Sequence, residues 1–137
     1  MCPGWTALPR ACWPSCAEVF SAAFIWEPGQ YDAEFDRLDA LIDAVARAMP
    51  GFLGVEVWLS EVGQRRNATY YWASLEDVQA FSQHPHHLEA KRQYARWYKG
   101  FHIVISEVVR SYGDGAFAHL TPNSRLPGPL PQSATPS

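Results

Sequence analysis

The order in which strand-like and helix-like hydrophobic periods follow one another is the sequence feature that most constrains the fold. Residues 19–26 (VFSAAFIW) are apolar on both faces of an extended chain, which predicts a buried strand. Apolar side chains then recur every three or four residues, which predicts an amphipathic helix. Asp32 stands where it can cap the start of this helix, and Pro50-Gly51 ends it. The apolar stripe consists of Phe35, Leu38, Ile42, Val45 and Met49.

A hairpin and a second helical region follow this first helix. Residues 52–60 alternate between apolar and polar, and residues 67–72 come after a turn, so the two segments are expected to pair as a β-hairpin. Ser74 has the position of a helix cap. Pro85 has the position of the first turn of a further helical segment, with Gly100 as its C-cap.

A last strand over residues 101–112 completes the order βαββαβ, which is the ferredoxin-like motif of the α+β class. In this motif one antiparallel sheet carries both helical regions on one face. If the other face met water, its strands would alternate apolar with charged side chains. Instead, the first strand is apolar on both sides and the second carries Trp58 on its more polar side. We therefore expect a second copy to cover this face, giving a homodimer with a dimeric α+β barrel.

The two ends of the chain differ in composition from the middle. Residues 1–17 contain all three cysteines and no sustained period, and residues 114–137 are rich in proline, so we expect a poorly ordered extension and a flexible tail around a folded domain of residues 18–113. The N-terminal stretch lacks the features of a secretory signal, which favours a cytoplasmic protein. Cys12 and Cys16 lack a second pair of zinc ligands, so no metal site is predicted.

Charge and motif content exclude several classes of protein. The net charge is −3 and no basic run exceeds Arg65-Arg66, which disfavours nucleic-acid binding because phosphate neutralisation needs a clustered positive surface. No apolar run is long enough to predict a membrane span. The sequence carries no phosphate-binding loop, dinucleotide fingerprint or nucleophile elbow. We therefore predict no cofactor, and any redox chemistry would take its electrons from the substrate or from a cofactor bound without a recognisable motif.

Several short segments resemble the antibiotic-biosynthesis-monooxygenase family, a branch of the dimeric α+β barrels. They are PGFLGVE at 50–56, YW-x-S-x-E at 71–76, F-x-x-HP-x-H at 81–87, AKR at 90–92 with WY at 97–98, and EVVRSY at 107–112. The resemblance covers about residues 19–113 and implies the ferredoxin-like fold, a dimer and a pocket in each protomer between the sheet and its helices.

Some members of this family oxidise flat polyketide phenols to quinones with molecular oxygen and without metal or flavin. The chain resembles them at Trp72, near the end of the third predicted strand, and at Arg92 on the second helical region. These members also use an Asn shortly before the Trp; Asn67 is near that place, but one residue off, which would point it to the other face of the strand. Val78 stands about where these members carry a tyrosine.

Other members bind and cleave haem, with an Asn on the first strand and a His on the second helix. The first strand here has Ser21, Ala22 and Ala23, and the expected His position falls near Lys91. His87 lies one turn earlier, so a haem-binding or haem-degrading relative that uses His87 is kept as an alternative.

The candidate catalytic residues are therefore a helix histidine as general base, Trp72 as a stacking platform and Arg92 as an anion partner. Each also has a plain structural reading: solvent at a helix start for the histidines, core packing for Trp72, and a surface ion pair with Glu89 for Arg92. A non-catalytic dimeric binding or stress-associated module is the third hypothesis for function. The histidine candidates are His84 and His87, and the substrate-binding candidates are Asn67, Phe81, Trp97 and Tyr98, around a small aromatic ligand.

Overall fold

A computed structural model describes residues 18–125 of the chain. This part forms four strands and three helices in the order β-α-β-β-α-α-β. The strands are β1 (Phe20–Pro28), β2 (Phe52–Leu59), β3 (Arg66–Trp72) and β4 (Tyr98–Glu107), and the helices are α1 (Ala33–Ala48), α2 (Leu75–Ser82) and α3 (Pro85–Trp97).

The four strands form one antiparallel sheet in the order β2-β3-β1-β4. With a helical crossover after β1 and another after β3, this is the ferredoxin-like arrangement, and the predicted α+β class and strand pairing are confirmed. In the register, Ala22 of β1 lies opposite Tyr70 of β3 and Ile105 of β4. The register places the even-numbered side chains of β1 and β3 on one surface of the sheet.

That surface faces the helices and carries the main core. Trp72 at the end of β3 is packed with Ala46 of α1 and with Val78 and Phe81 of α2, and all four are buried. Burying large rings and aliphatic groups is the main favourable contribution to folding. The core therefore lies at the end of the sheet where β3 leads into α2. Partly buried side chains complete it: Phe20, Ala22, Ile42, Val45, Met49, Phe52 and Tyr70.

The two predicted helix caps are confirmed. The Oδ1 atom of Asp32 accepts a hydrogen bond of 2.9 Å from the backbone N–H of Phe35, and the Oγ atom of Ser74 accepts one of 3.0 Å from the backbone N–H of Asp77. These bonds satisfy amide groups that have no partner within the first turn of a helix. Capping therefore fixes the start of α1 and of α2.

The predicted C-cap at Gly100 is wrong. Helix α3 ends at Trp97, and Gly100 lies inside β4, opposite Glu27 of β1. The chain leaves the helix early because Tyr98 is extended and its ring packs beneath Phe24, at a centroid distance of 5.4 Å. The last strand consequently begins and ends earlier than the predicted residues 101–112.

Beyond β4 the chain folds back over the sheet surface that faces away from the helices, here called the open face. The imidazole of His119 packs edge-on against Tyr71, with ring centroids 5.7 Å apart, and its Nε2 atom lies 2.9 Å from Oε1 of Glu56. Leu120 lies directly over Gly54, where an added Cβ would come within 2.7 Å of a leucine methyl group. Part of the open face is therefore covered by the chain itself.

The predicted domain boundaries stay predictions, although His119 and Leu120 contact the sheet. Cys2, Cys12 and Cys16, together with residues 126–137, lie outside the described residues. None of the helices in the described range 18–125 is long and apolar enough to cross a membrane.

Candidate functional site

Trp72 lies at the junction between β3 and α2, with its indole ring on the helix-facing surface. The side chain is fully buried, and its ring centroid lies 5.2 Å from that of Phe52 and 5.0 Å from that of Phe81. Its Nε1–H group has no hydrogen-bond partner among the described residues. A buried N–H donor without a partner costs about 1–3 kcal/mol of stability, so this atom reduces the stabilisation that burial of the Trp72 ring provides.

His87 lies in the first turns of α3 and points toward the same place. Its ring meets that of Phe81 edge-on, with centroids 4.8 Å apart, and within residues 18–125 its buried Nδ1 atom also has no partner. Burial, together with the positive charge of Lys91 one turn later, lowers the pKa of His87 from 6.5 to about 4. The imidazole is therefore neutral at physiological pH and available as a hydrogen-bonding group.

Trp72, Phe81 and His87 together form what we call the Phe81 cluster. Two predicted catalytic residues and one predicted substrate-binding residue thus meet at one place in the structure. Native proteins leave few buried polar atoms unsatisfied, and those that remain unsatisfied are often explained by function. The Phe81 cluster is therefore the candidate site.

Tyr70 also lies at this cluster, although the sequence analysis did not select it. Its ring centroid lies 5.6 Å from that of Phe81, and burial, together with the negative charges of Asp39 and Asp43, raises the pKa of its phenol to about 12. A signal was available, because residues two apart in a strand share a face and Tyr70 precedes Trp72 by two. The phenol stays protonated, and its ring packs against the cluster.

Trp97 and Tyr98 lie in a second group of aromatic rings, toward the other end of the helix-facing surface. The Nε1–H of Trp97 donates a hydrogen bond of 3.0 Å to Oδ1 of Asp32, and the indole is 1% exposed. Tyr98 packs against Phe24 and Phe35, and burial raises the pKa of its phenol. Trp97 and Tyr98 therefore pack against the rings of this second group. Among the described residues, neither ring contacts a ring of the Phe81 cluster.

The other predicted site residues lie away from the cluster. Arg92 is on the outer surface of α3, with its side chain 67% exposed and paired with Glu89. His84 caps α3, where its Nδ1 atom accepts a hydrogen bond of 3.1 Å from the backbone N–H of His86. Asn67 lies on the open face, on the opposite side of the sheet from Trp72. The structure thus brings Trp72, Phe81 and His87 together. Arg92, His84 and Asn67 lie away from them.

The open face has a shallow concave region at the β2–β3 turn. It encloses about 430 Å³ and is lined by residues that include Ile25, Trp58, Arg66 and Asn67. An ion pair of 2.7 Å between Arg65 and Glu27 lies at its rim. Apart from Asn67, none of the predicted site residues lines this region.

A metal centre is a separate question from these aromatic sites. Between residues 18 and 125, no three His, Cys, Asp or Glu side chains are grouped so as to hold a metal ion.

Comparison with solved structures shows the same fold in several proteins. A variant of SnoaB, a cofactor-independent oxygenase from Streptomyces nogalater, superposes with a TM-score of 0.58 at 14% identity, over 69% of this chain and 97% of that one. A protein from Nitrosomonas europaea named for the antibiotic biosynthesis monooxygenases gives a TM-score of 0.54 at 15% identity, over 67% and 91% of the two chains. At these identities the similarity shows the fold alone.

Sequence comparison gives the family. No curated protein is significantly similar to the chain. The family model described as antibiotic biosynthesis monooxygenase matches residues 22–93, which is more than half of the chain and runs from β1 into α3. This range contains the whole Phe81 cluster. The chain therefore belongs to the antibiotic biosynthesis monooxygenase family.

Proposed function

We propose that this protein is an oxidoreductase of the monooxygenase type that oxidises a small aromatic or quinone-like metabolite with molecular oxygen, without metal or flavin. The observation that carries the proposal is the Phe81 cluster, in which Trp72 Nε1 and His87 Nδ1 are buried next to one aromatic ring and have no hydrogen-bond partner within residues 18–125. Membership of the family and the shared fold with a cofactor-independent oxygenase support it.

In the proposed reaction the substrate supplies all four electrons that reduce molecular oxygen. An electron-rich phenol ring takes up one oxygen atom and loses two hydrogens as it becomes a quinone. The second oxygen atom leaves as water with those two hydrogens. Because the electrons come from the ring itself, the protein needs to bind the ring, exclude water and help remove the phenolic proton.

Trp72 and His87 divide these roles between them. The face of the Trp72 indole stacks on an aromatic ring and its Nε1–H donates to an oxygen. A pKa of about 4 makes His87 a weak base on its own. A phenolate formed about 4 Å away would stabilise the imidazolium by about 4 kcal/mol at an effective dielectric constant of about 20, equivalent to about 3 pKa units. His87 therefore accepts the proton only when the phenolate forms beside it.

The protein works as a homodimer in this proposal, through the uncovered part of the open face. Trp58 on β2 is 63% exposed and Val104 on β4 is 41% exposed, and exposed apolar side chains on one sheet surface are typical of association sites. Trp58→Lys should give a monomer in sedimentation experiments, whereas Ala44→Lys on the outer surface of α1 should leave the dimer intact. A wild-type protein that sediments as a monomer throughout the micromolar range would contradict this part of the proposal.

A ligand-binding module without chemistry is the second candidate. The observation in its favour is that Trp72 is fully covered by protein side chains. In that case the protein would bind the same aromatic molecule and consume no oxygen. The haem alternative, with His87 as iron ligand, has its own test: haemin added to the protein would shift its Soret band if His87 bound the iron.

The experiment that separates these functions is oxygen consumption with hydroxylated aromatic substrates. Wild-type protein treated with a metal chelator should consume oxygen in proportion to substrate oxidised. Trp72→Phe removes one N–H donor from the site and should lower the rate by at least about tenfold. Trp26→Phe is the matched control, because it also removes an indole, but from the second aromatic group. Equal rates for the two variants, or no oxygen consumption by wild type, would contradict the proposal.

A further inference from the structure

We infer that the benzene ring of Phe81 occupies the ligand position, and that a monocyclic phenol with two oxygen substituents displaces it. The inference depends on the site of the proposed function but not on the reaction there. It assigns Phe81 as the residue that determines specificity, and a hydroquinone-like molecule as the class of ligand.

Two buried polar atoms lie beside the ring of Phe81. Trp72 Nε1 and His87 Nδ1 have no hydrogen-bond partner among the described residues, and the ring of Phe81 lies against both side chains. A benzene ring offers neither atom a hydrogen bond. A ring of the same size that carries oxygen atoms would keep the packing and satisfy both polar atoms.

The chemistry of the two atoms defines the ligand. An indole N–H is a donor only, so the ligand must present an oxygen acceptor to Trp72. An imidazole nitrogen donates or accepts according to its tautomer, and a hydroxyl group suits either case. A single ring with two hydroxyl groups therefore matches the site in size and in hydrogen bonding, whereas fused rings would exceed the space that Phe81 occupies.

The location of Phe81 allows its ring to move. Phe81 lies in the last turn of α2, a helix of only eight residues that ends at Ser82. The backbone of His84 is extended and separates α2 from α3. Local rearrangement is least costly at helix ends and short elements. Displacement of Phe81 therefore needs a change in the end of α2 and leaves the sheet in place.

The first experiment measures binding of 1,4-dihydroxybenzene by calorimetry in the absence of oxygen. Phe81→Ala removes the ring that must be displaced, so we expect binding about tenfold tighter than in wild type. Phe35→Ala is the matched control in the second aromatic group and should bind as wild type does. Equal or weaker binding by Phe81→Ala, or an equal gain in Phe35→Ala, would overturn the inference.

A second measurement uses the wild-type protein and so does not depend on the folding of Phe81→Ala. The indole N–H resonance of Trp72, identified by its loss in Trp72→Phe, should move downfield when 1,4-dihydroxybenzene is added. Toluene, which has a similar ring without oxygen, should give no downfield shift. An N–H resonance that stays in place with 1,4-dihydroxybenzene would overturn the inference.

The outcomes separate this inference from the proposed function. Tighter binding by Phe81→Ala together with the N–H shift, but without oxygen consumption by wild type, would support the inference and overturn the proposed function. Oxygen consumption by wild type, with a Trp72 N–H that does not respond to 1,4-dihydroxybenzene, would overturn the inference and leave the proposed function standing.

Discussion

The largely buried imidazole of His87 should make the stability of the protein depend on pH in a defined window. In the unfolded chain His87 binds a proton at its ordinary pKa of 6.5, whereas in the folded protein burial lowers that pKa to about 4. Between these values the unfolded state binds more protons, so the free energy of unfolding falls as the pH falls. The loss begins as pH drops through about 6.5 and is complete near about 4.

The magnitude follows from the size of the shift. The difference between 6.5 and about 4, at 1.36 kcal/mol per pKa unit, corresponds to a loss of about 3 kcal/mol. Other groups titrate in the same window, so the contribution of His87 is the difference between wild type and His87→Leu. Between neutral pH and pH of about 4, wild type should lose about 3 kcal/mol more of its free energy of unfolding than His87→Leu does. The variant therefore gains in stability relative to wild type as the pH falls.

Urea denaturation of the two proteins at a series of pH values measures this difference. His86→Gln is the matched control, because it removes the neighbouring imidazole of the same helix and leaves His87 in place. Parallel curves for wild type and His87→Leu would refute the reasoning, since they would show that the His87 imidazole is hydrated in the folded protein.

Two further predictions concern local backbone structure. Gly54 has φ of +144° and lies beneath Leu120, so Gly54→Ala should cost about 1–3 kcal/mol in thermal unfolding, whereas Gly100→Ala, with open space around it, should cost less. Ser74→Ala removes the cap of α2 and should lower the free energy of unfolding by about 1 kcal/mol, which urea denaturation can compare with the exposed-strand control Ser106→Ala.

Periodicity was sufficient to predict the architecture. The stripe from Phe35 to Met49 lies on the side of α1 that packs in the core, and the alternation in residues 52–60 corresponds to strand β2, although Val57 and Leu59 at its end are exposed. Because the side-chain period of a strand is two, the parity of the sequence also indicated that Asn67 and Trp72 would lie on opposite faces, as the register shows. These features depend on the local geometry of helices and strands, which the spacing of apolar residues in the sequence predicts.

The details of the site depend on contacts between different elements, which the periodicity of the sequence does not predict. Phe81 and His87 belong to different helices, and the edge-on contact of their rings results from the angle at which α2 meets α3. His119 meets Glu56 across 63 positions of the chain, through a segment without regular structure. The early end of α3 at Trp97 depends on packing of the next ring, a tertiary effect that outweighed the preference of Gly100 for a helix end.

The location of a bound ligand tests the account most directly. A crystal structure of the protein with 1,4-dihydroxybenzene should show its ring on the helix-facing side of the sheet, with one oxygen bonded to Trp72 Nε1, the other to His87 Nδ1, and Phe81 moved aside. A ring bound only in the concave region of the open face near Trp58, with Phe81 in place against Trp72, would contradict it.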